Sequence, residues 1–237
     1  FQPKDVVSGD FYWMEVFNNN VFFAAADCTG HGVPGAMVSV VCSNTLTKAL
    51  VEEKIDAPAE ILNRSRELVI QRFSKNNKTV RDGMDISLCK YNKETHELEW
   101  AGANNPLWIF RKGETPLTDN GSPLQPKMQE NGVFGYEIKA DNQPIGYYEA
   151  AKPFTAHKIS IQPGDKIYIF SDGYIDQFGG PKGKKFKSKN LFKLLLKNYH
   201  ESVSRQKEIL QKNLKSWMKD DKYLQVDDIC IFGVEIV

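Results

Sequence analysis

Short apolar runs typical of β-strands are the sequence feature that most constrains the fold. They occur in adjacent pairs joined by short turns, and they outnumber the helical segments. The predicted strands cover residues 11–17, 21–26, 84–91, 97–101, 107–110, 157–161, 166–170 and 229–236. Because short turns join antiparallel neighbours, whereas parallel strands need long crossover connections, this pattern predicts antiparallel sheets rather than a βαβ alternation.

Turn-forming residues mark several of the connections. The asparagines at residues 18–20 suit a hairpin between the first two strands. The Pro-Gly-Asp run at residues 163–165 predicts a turn, since proline fixes φ and glycine tolerates positive φ. Residues 112–153 are rich in turn formers and show little periodicity, so they yield no assignment.

Four helices are predicted, an early pair and a late pair. Pro34 and Pro58 suit the first turns of the early pair, the second of which begins near Asp56. The apolar positions of the four helices, in order, are Met37, Val40, Val41 and Leu46; Ile61, Leu62, Leu68, Val69 and Phe73; Leu191, Phe192, Leu194 and Leu195; and Ile209, Leu210, Leu214 and Trp217. The two pairs could cover two sheets from opposite sides. We therefore expect one α+β domain over residues 1–237.

Composition excludes several classes of protein. Of the 237 residues, 41% are hydrophobic and 26% are charged, which is typical of globular proteins. The net charge of +1 argues against nucleic-acid binding driven by bulk charge. No apolar run approaches the roughly 20 residues that cross a bilayer, so no direct membrane contact is expected of this region. The four cysteines are scattered, which favours a reducing, cytoplasmic environment over a disulfide framework. The start at Phe1 suggests the C-terminal part of a longer sensor protein.

Four aspartates stand out by their positions at the ends of apolar strands. Asp10 leads into the first strand, Asp27 and Asp172 follow apolar runs, and Asp227 precedes the last strand. A single aspartate in such a place is usually a turn or capping residue. Two carboxylates about 4 Å apart repel by roughly 4 kcal/mol at an effective dielectric constant of about 20, so four on one rim would need cations. Hard oxygen ligands favour Mg²⁺ or Mn²⁺, and two such ions could activate a water for attack on a phosphoryl group.

A resemblance supplies the step that brings these aspartates together. Six short motifs occur in order along nearly the whole chain: Ser8-Gly9-Asp10-Phe11-Tyr12, Asp27-Cys28-Thr29-Gly30-His31-Gly32, Ala101-Gly102-Ala103-Asn104, Pro144-Ile145-Gly146, Phe170-Ser171-Asp172-Gly173 and Val226-Asp227-Asp228. Together they closely resemble the SpoIIE-type branch of the metal-dependent protein serine/threonine phosphatases, the PPM family. Each motif alone is weak, and the ordered set is specific.

The resemblance implies a four-layer α-β-β-α sandwich with two central antiparallel sheets and a site for two Mn²⁺ or Mg²⁺ ions. By position, Asp27 would bridge the two ions. Asp10 and the backbone carbonyl of Cys28 would bind one ion, and Asp172 and Asp227 the other. Asp85 matches the acid that holds a third, loosely bound metal in some relatives. The implied reaction is direct hydrolysis of phosphoserine or phosphothreonine by a metal-activated water.

The sequence departs from the family pattern near the expected site. Larger eukaryotic relatives carry a histidine, proposed as general acid, where this chain has Thr29, and His31 comes two residues later. His31 could be a structural turn residue or a residue at the rim of the site. No arginine stands beside the first motif to bind a substrate phosphate. Cys28 lacks the histidine pairing of a nucleophile.

Substrate and assembly follow from the resemblance alone. SpoIIE-type relatives commonly act on phosphorylated STAS-domain antagonists of anti-sigma factors in partner switching, and helices preceding the domain often mediate dimerisation. Seven lysines between residues 182 and 197 could dock an acidic phosphoprotein, although a solvated loop is the simpler interpretation. Two other functions stay open: a non-catalytic phosphoprotein-binding module and a hydrolase of small phosphorylated metabolites.

Overall fold

The computed structural model describes residues 1–74, 81–219 and 222–237. The strands are β1 (Phe11–Phe17), β2 (Asn20–Cys28), β3 (Met84–Asn92), β4 (Glu97–Ala103), β5 (Leu107–Lys112), β6 (Thr118–Asp119), β7 (Ser122–Pro123), β8 (Met128–Glu130), β9 (Val133–Ile138), β10 (His157–Ser160), β11 (Lys166–Phe170), β12 (Phe178–Gly179), β13 (Lys184–Lys185) and β14 (Ile231–Glu235). The helices are α1 (Gly32–Thr47), which continues into a π-helical turn (Lys48–Glu52), α2 (Pro58–Phe73), α3 (Gly173–Asp176), α4 (Ser188–Lys197) and α5 (Val203–Trp217).

Two large antiparallel sheets form the centre of the fold. The first has the strand order β1-β2-β3-β4-β10-β6-β7, and the second has the order β14-β11-β5-β9-β8. Strands β12 and β13 form a separate two-stranded hairpin. Strands β1 and β2 are joined at Asn18 and Asn19, which both adopt positive φ, as a tight hairpin turn requires.

Three apolar cores separate four layers. The first core lies between α1, α2 and the first sheet and includes Leu46, Ile61 and Leu88. The second lies between the two sheets and includes Cys89, the strand neighbour of Leu88. The third lies between the second sheet and helices α4 and α5. Because successive strand residues point to opposite faces, each central strand serves two cores, and the predicted α-β-β-α sandwich is confirmed.

Most predicted elements are confirmed within two residues of their ends, but β9 was missed. Gly135 lies in the middle of β9 and weakens the strand pattern of Val133–Ile138. A Cβ at this position would lie 2.6 Å from the ring of Phe192 in α4. The glycine therefore permits close packing of α4 on the sheet. It also interrupts the sequence pattern from which a strand would be predicted.

The predicted apolar face of α1 was correct at Leu46, which is buried, and wrong at Met37 and Val40. Met37 and Val40 are exposed, whereas the helix buries Gly35, Val38 and Cys42. A Cβ on Gly35 would lie 2.2 Å from the carbonyl oxygen of Gly30, so the helix packs against the preceding loop through a residue without a side chain. Since α1 is apolar on several sides, hydrophobic spacing could not identify the face that the loop selects.

Two further observations bear on the environment of the chain. The helices within the described ranges include none with the length and apolar character needed to cross a membrane. The four cysteines, Cys28, Cys42, Cys89 and Cys230, are all buried free thiols.

Candidate metal centre

The first sheet brings three aspartates to one end. Asp27, near the end of β2, is directly opposite Asp85 of β3 in the antiparallel register. Asp10 immediately precedes β1, whose first residue, Phe11, pairs with Ala26. Three carboxylates therefore lie on adjacent strands at the same edge. Asp27 was expected to follow its strand, but β2 continues through Cys28.

The second sheet contributes two more aspartates at the same end of the sandwich. Asp172 follows β11 and occupies the N-cap position of α3 without a side-chain capping bond, and Asp227 lies shortly before β14. These two segments are joined at Ser171, whose backbone N–H donates to the carbonyl of Cys230 at 2.9 Å, while its Oγ accepts from the Cys230 N–H at 2.9 Å. The paired segments thus hold both carboxylates at the same end of the second sheet.

The two sets of acids face a common cleft of about 250 Å³. Its lining includes Asp27, Asp85, Asp172 and Asp227, which come from both sheets. Asp10 is buried, with 4% of its surface exposed, and is close enough to raise the pKa of Asp27. The structure therefore brings together all of the aspartates that the sequence singled out.

Burial and mutual repulsion both disfavour ionisation of these acids. Desolvation, followed by repulsion from Asp10, Asp172 and other carboxylates of the cleft, raises the pKa of Asp27 to about 9. Desolvation also raises the pKa of Asp10 to about 7; the nearby Ser171 hydroxyl opposes this rise, and repulsion from Asp228, Asp227 and Asp172 adds to it. The pKa values of Asp85 and Asp172 are raised as well, again chiefly by burial.

These carboxylates differ in the hydrogen bonds that the protein provides to them. Asn104 Nδ2 donates to Asp85 Oδ1 at 2.7 Å, whereas Asp10 Oδ2 is buried without a hydrogen-bond partner among the described residues. An unsatisfied buried carboxylate oxygen is costly. Within the described ranges, however, no three acidic, imidazole or thiol groups converge at the spacing of a finished metal-binding cluster. The oxygen donors therefore line one cleft, but their side chains do not converge on a single metal position.

Asp228, the neighbour of Asp227, has a separate role that sequence reasoning missed. Its carboxylate is buried and accepts the backbone N–H groups of Lys4 at 2.7 Å and Gly9 at 2.8 Å. These bonds fix the segment that carries Asp10. The Asp-Asp doublet was the available signal, since adjacent residues in extended backbone point to opposite sides.

The loop after β2 is tied to the start of β3. Thr29 donates its backbone N–H to the carbonyl of Gly83 at 3.0 Å, and its hydroxyl accepts the Gly83 N–H at 3.2 Å. Thr29, at the position of the histidine in larger relatives, thus holds two loops together. The thiol of Cys28 faces Cys42, and this contact and burial raise its pKa, which disfavours a nucleophilic thiolate.

Charged side chains surround the cleft. His31 lines it and is exposed; its Nε2 lies 3.1 Å from Lys4 Nζ, and its Nδ1 lies 2.9 Å from a carboxylate oxygen of Asp5. Lys185 of β13, whose charge opposes the rise in the pKa of Asp172, pairs with Asp176 at 2.5 Å. The lysine-rich segment therefore begins beside the acidic site and continues into α4.

Comparison with known proteins identifies the family. The family model described as stage II sporulation protein E (SpoIIE) matches residues 18–237. The chain belongs to the SpoIIE family. No curated protein sequence matches the chain.

Solved structures of SpoIIE-related proteins share this fold. The SiaA-PP2C domain of Pseudomonas aeruginosa has a TM-score of 0.81 at 24% identity, over 100% of this chain and 84% of that chain. The PP2C phosphatase domain and regulatory-domain fragment of SpoIIE from Bacillus subtilis has a TM-score of 0.68 at 16% identity, over 99% and 61%. RsbX in complex with magnesium has a TM-score of 0.60 at 17% identity, over 98% and 89%. At these identities, the similarity establishes a PP2C-type fold.

Proposed function

We propose that this SpoIIE-family chain is a metal-dependent protein serine/threonine phosphatase. The observation that carries the proposal is the cleft in which the two sheets place four carboxylates beside one arginine, together with an oxygen of buried Asp10 that has no hydrogen-bond partner among the described residues. Such an arrangement is suited to binding hard divalent cations. Similarity to PP2C phosphatase domains supports the same reaction class.

We assign the donor set to two Mn²⁺ or Mg²⁺ ions, because carboxylate and carbonyl oxygens are the ligands that such hard cations prefer. In the proposed assignment, Asp27 would bind both ions, Asp10 and the Cys28 carbonyl would bind one, and Asp172 and Asp227 would bind the other. Asp85 would serve a third, weaker site. When bound, the ions would supply charge stabilisation and an activated water for hydrolysis of the phosphate ester. The structure of RsbX in complex with magnesium supports the choice of a divalent metal ion.

The remaining residues of the site would position these donors. Asp228 orients Asp10 through the Gly9 N–H, and Asn104 holds the carboxylate of Asp85. Gly173 allows the turn after Asp172 to approach the chain closely, since a Cβ there would lie 1.9 Å from the Asp228 carbonyl oxygen. The Asp228 side chain therefore ties the segment of Asp10 to the segment of Asp227, and close backbone packing brings Asp172 beside the latter.

The finer assignments rest on the family. A phosphorylated STAS-domain protein is the proposed substrate, and structures of RsbU and of a stressosome component among the similar folds support a role in partner switching. The proposed organisation is one domain over residues 1–237, acting in the cytoplasm of a bacterium. Dimerisation through a region N-terminal to Phe1 belongs to the same proposal.

The test is hydrolysis of a phosphoserine peptide with Mn²⁺, with Mg²⁺ and with a chelator. Asp172→Ala should reduce turnover about a thousandfold or more, because several kcal/mol of transition-state stabilisation would be lost, while circular dichroism stays unchanged. Exposed Asp56→Ala is the matched control. Turnover that resists chelation, or an Asp172→Ala protein with nearly full activity, would refute the proposal. Exclusive hydrolysis of small phosphates would favour a metabolite phosphatase, and metal binding without turnover would favour a binding module.

A further inference from the structure

An arginine is among the residues that line the acidic cleft. Arg81 is exposed and shares the lining with Asp27, Asp85, Asp172 and Asp227. We propose that Arg81 binds the phosphate group of the substrate. This inference rests on the phosphatase function proposed above and adds to it a binding residue located away from the first motif, where the sequence offers no arginine.

The backbone beside Arg81 is held in place from two directions. Gly83, two residues along the chain, bonds to Thr29 of the loop after β2. On its other side, a Cβ on Gly83 would lie 2.1 Å from the carbonyl oxygen of Ile145, and Met84 exchanges backbone hydrogen bonds with Ile145. Since the next residue is Asp85, which lines the cleft, the arginine enters the site from a fixed attachment point.

The other cations close to the site already have partners. Lys4 Nζ is in contact with His31, and Lys185 is paired with Asp176. Among the described residues, Arg81 makes no ion pair at 4.0 Å or less. Its guanidinium is therefore the cleft cation that remains available to an incoming anion.

The chemistry of arginine suits this role. A guanidinium presents five N–H donors in a planar fork, stays charged at any physiological pH, and matches two phosphate oxygens at once. A phosphomonoester dianion approaching a group of carboxylates would otherwise meet repulsion. Arg81 would offset that repulsion and orient the ester, as bidentate clamps do.

The experiment compares wild-type protein with Arg81→Ala and Arg81→Lys. We expect KM for a phosphoserine peptide and for a small aryl phosphate to rise by the same factor, about 10- to 100-fold for Arg81→Ala, because a charged bidentate contact is lost. Arg81→Lys should recover only part of this loss. Binding of inorganic phosphate in the presence of Mn²⁺, measured by calorimetry, should weaken in parallel, while Mn²⁺ affinity alone stays unchanged. Arg205→Ala on the exposed face of α5 is the matched control for loss of one positive charge.

The phosphate-binding arm separates this proposal from the phosphatase assignment. If the wild-type protein binds phosphate but turns over no substrate, a loss of phosphate affinity in Arg81→Ala would still support the site. Equal phosphate affinity in wild type and Arg81→Ala, or no phosphate binding by either, would overturn it. A change in Mn²⁺ affinity with phosphate affinity intact would also overturn it, since Arg81 would then only balance the charge of the acids.

Discussion

Two regions of the protein that bury charge differ in how that charge is balanced: one pairs opposite charges, and the other collects like charges. Between β5 and the turn before β11, the guanidinium of Arg111 bonds both carboxylate oxygens of Asp165, at 2.9 Å and 2.5 Å. The two side chains are only 2% and 1% exposed. Asp165 also accepts the Gln162 N–H, and Arg111 also donates to the Ser160 carbonyl. Here the fold itself satisfies each buried charge.

The acidic cleft shows the reverse arrangement. Its carboxylates raise one another's pKa values, and Asp10 Oδ2 has no partner among the described residues. A buried pair of opposite charges can be explained by the fold alone, whereas a group of like charges requires an additional reason. The comparison supports a structural role for the first region and the proposed cation-binding role for the second.

The largest effect on folding should come from breaking the compensated pair. Asp165→Ala would leave the guanidinium of Arg111 buried without its carboxylate, so we expect the free energy of unfolding to fall by about 3–5 kcal/mol. Urea denaturation monitored by circular dichroism measures this change. Asp27→Ala is the matched comparison, since removing one of several like charges should not destabilise metal-free protein. A loss of stability at Asp27 as large as that at Asp165 would remove the distinction between the regions.

A smaller effect should appear in the pH dependence of stability. The pKa of Asp27 rises from 3.8 to about 9 on folding, so its contribution to stability is intact below about pH 4 and is lost as the pH rises towards 9. In chelator, Asp27→Asn should therefore gain stability over wild type, by about 1–3 kcal/mol more at pH 8 than at pH 5. Denaturation midpoints at both pH values give the measurement.

Exposed Asp56→Asn controls for the substitution in that experiment. Its difference from wild type should be nearly the same at pH 5 and pH 8. If the stability difference between Asp27→Asn and wild type were also independent of pH, repulsion within the cleft would not affect folding. The cleft and the Arg111–Asp165 region would then differ in structure but not in their electrostatic effect on stability.

The sequence predicted much of the scaffold because regular strands leave a local signature. Strands β1 and β11 have the predicted bounds, and four aspartates were identified at strand ends. Strand β9 was not predicted, because Gly135 serves a helix more than 50 residues away in the chain. Packing between distant segments decided that position, and local periodicity does not record such packing.

The site shows the same division. The positions of Asp27 and Asp172 follow from local strand patterns. Their meeting depends on how the two sheets pack face to face, and only the family resemblance suggested that the aspartates come together. Arg81 could not be identified, since it lies outside any periodic element and owes its place to contacts of Gly83 with Thr29 and Ile145. Residues fixed through such long-range contacts have no local sequence signal.

The central claim is that the uncompensated carboxylates bind divalent cations. The most direct test is calorimetric titration of chelator-treated protein with Mn²⁺, beside Asp27→Asn and the Asp56→Asn control. We predict that wild type and the control bind Mn²⁺ alike and that Asp27→Asn loses most of this affinity. Absence of Mn²⁺ binding by the wild type, or equal binding by Asp27→Asn, would contradict the account.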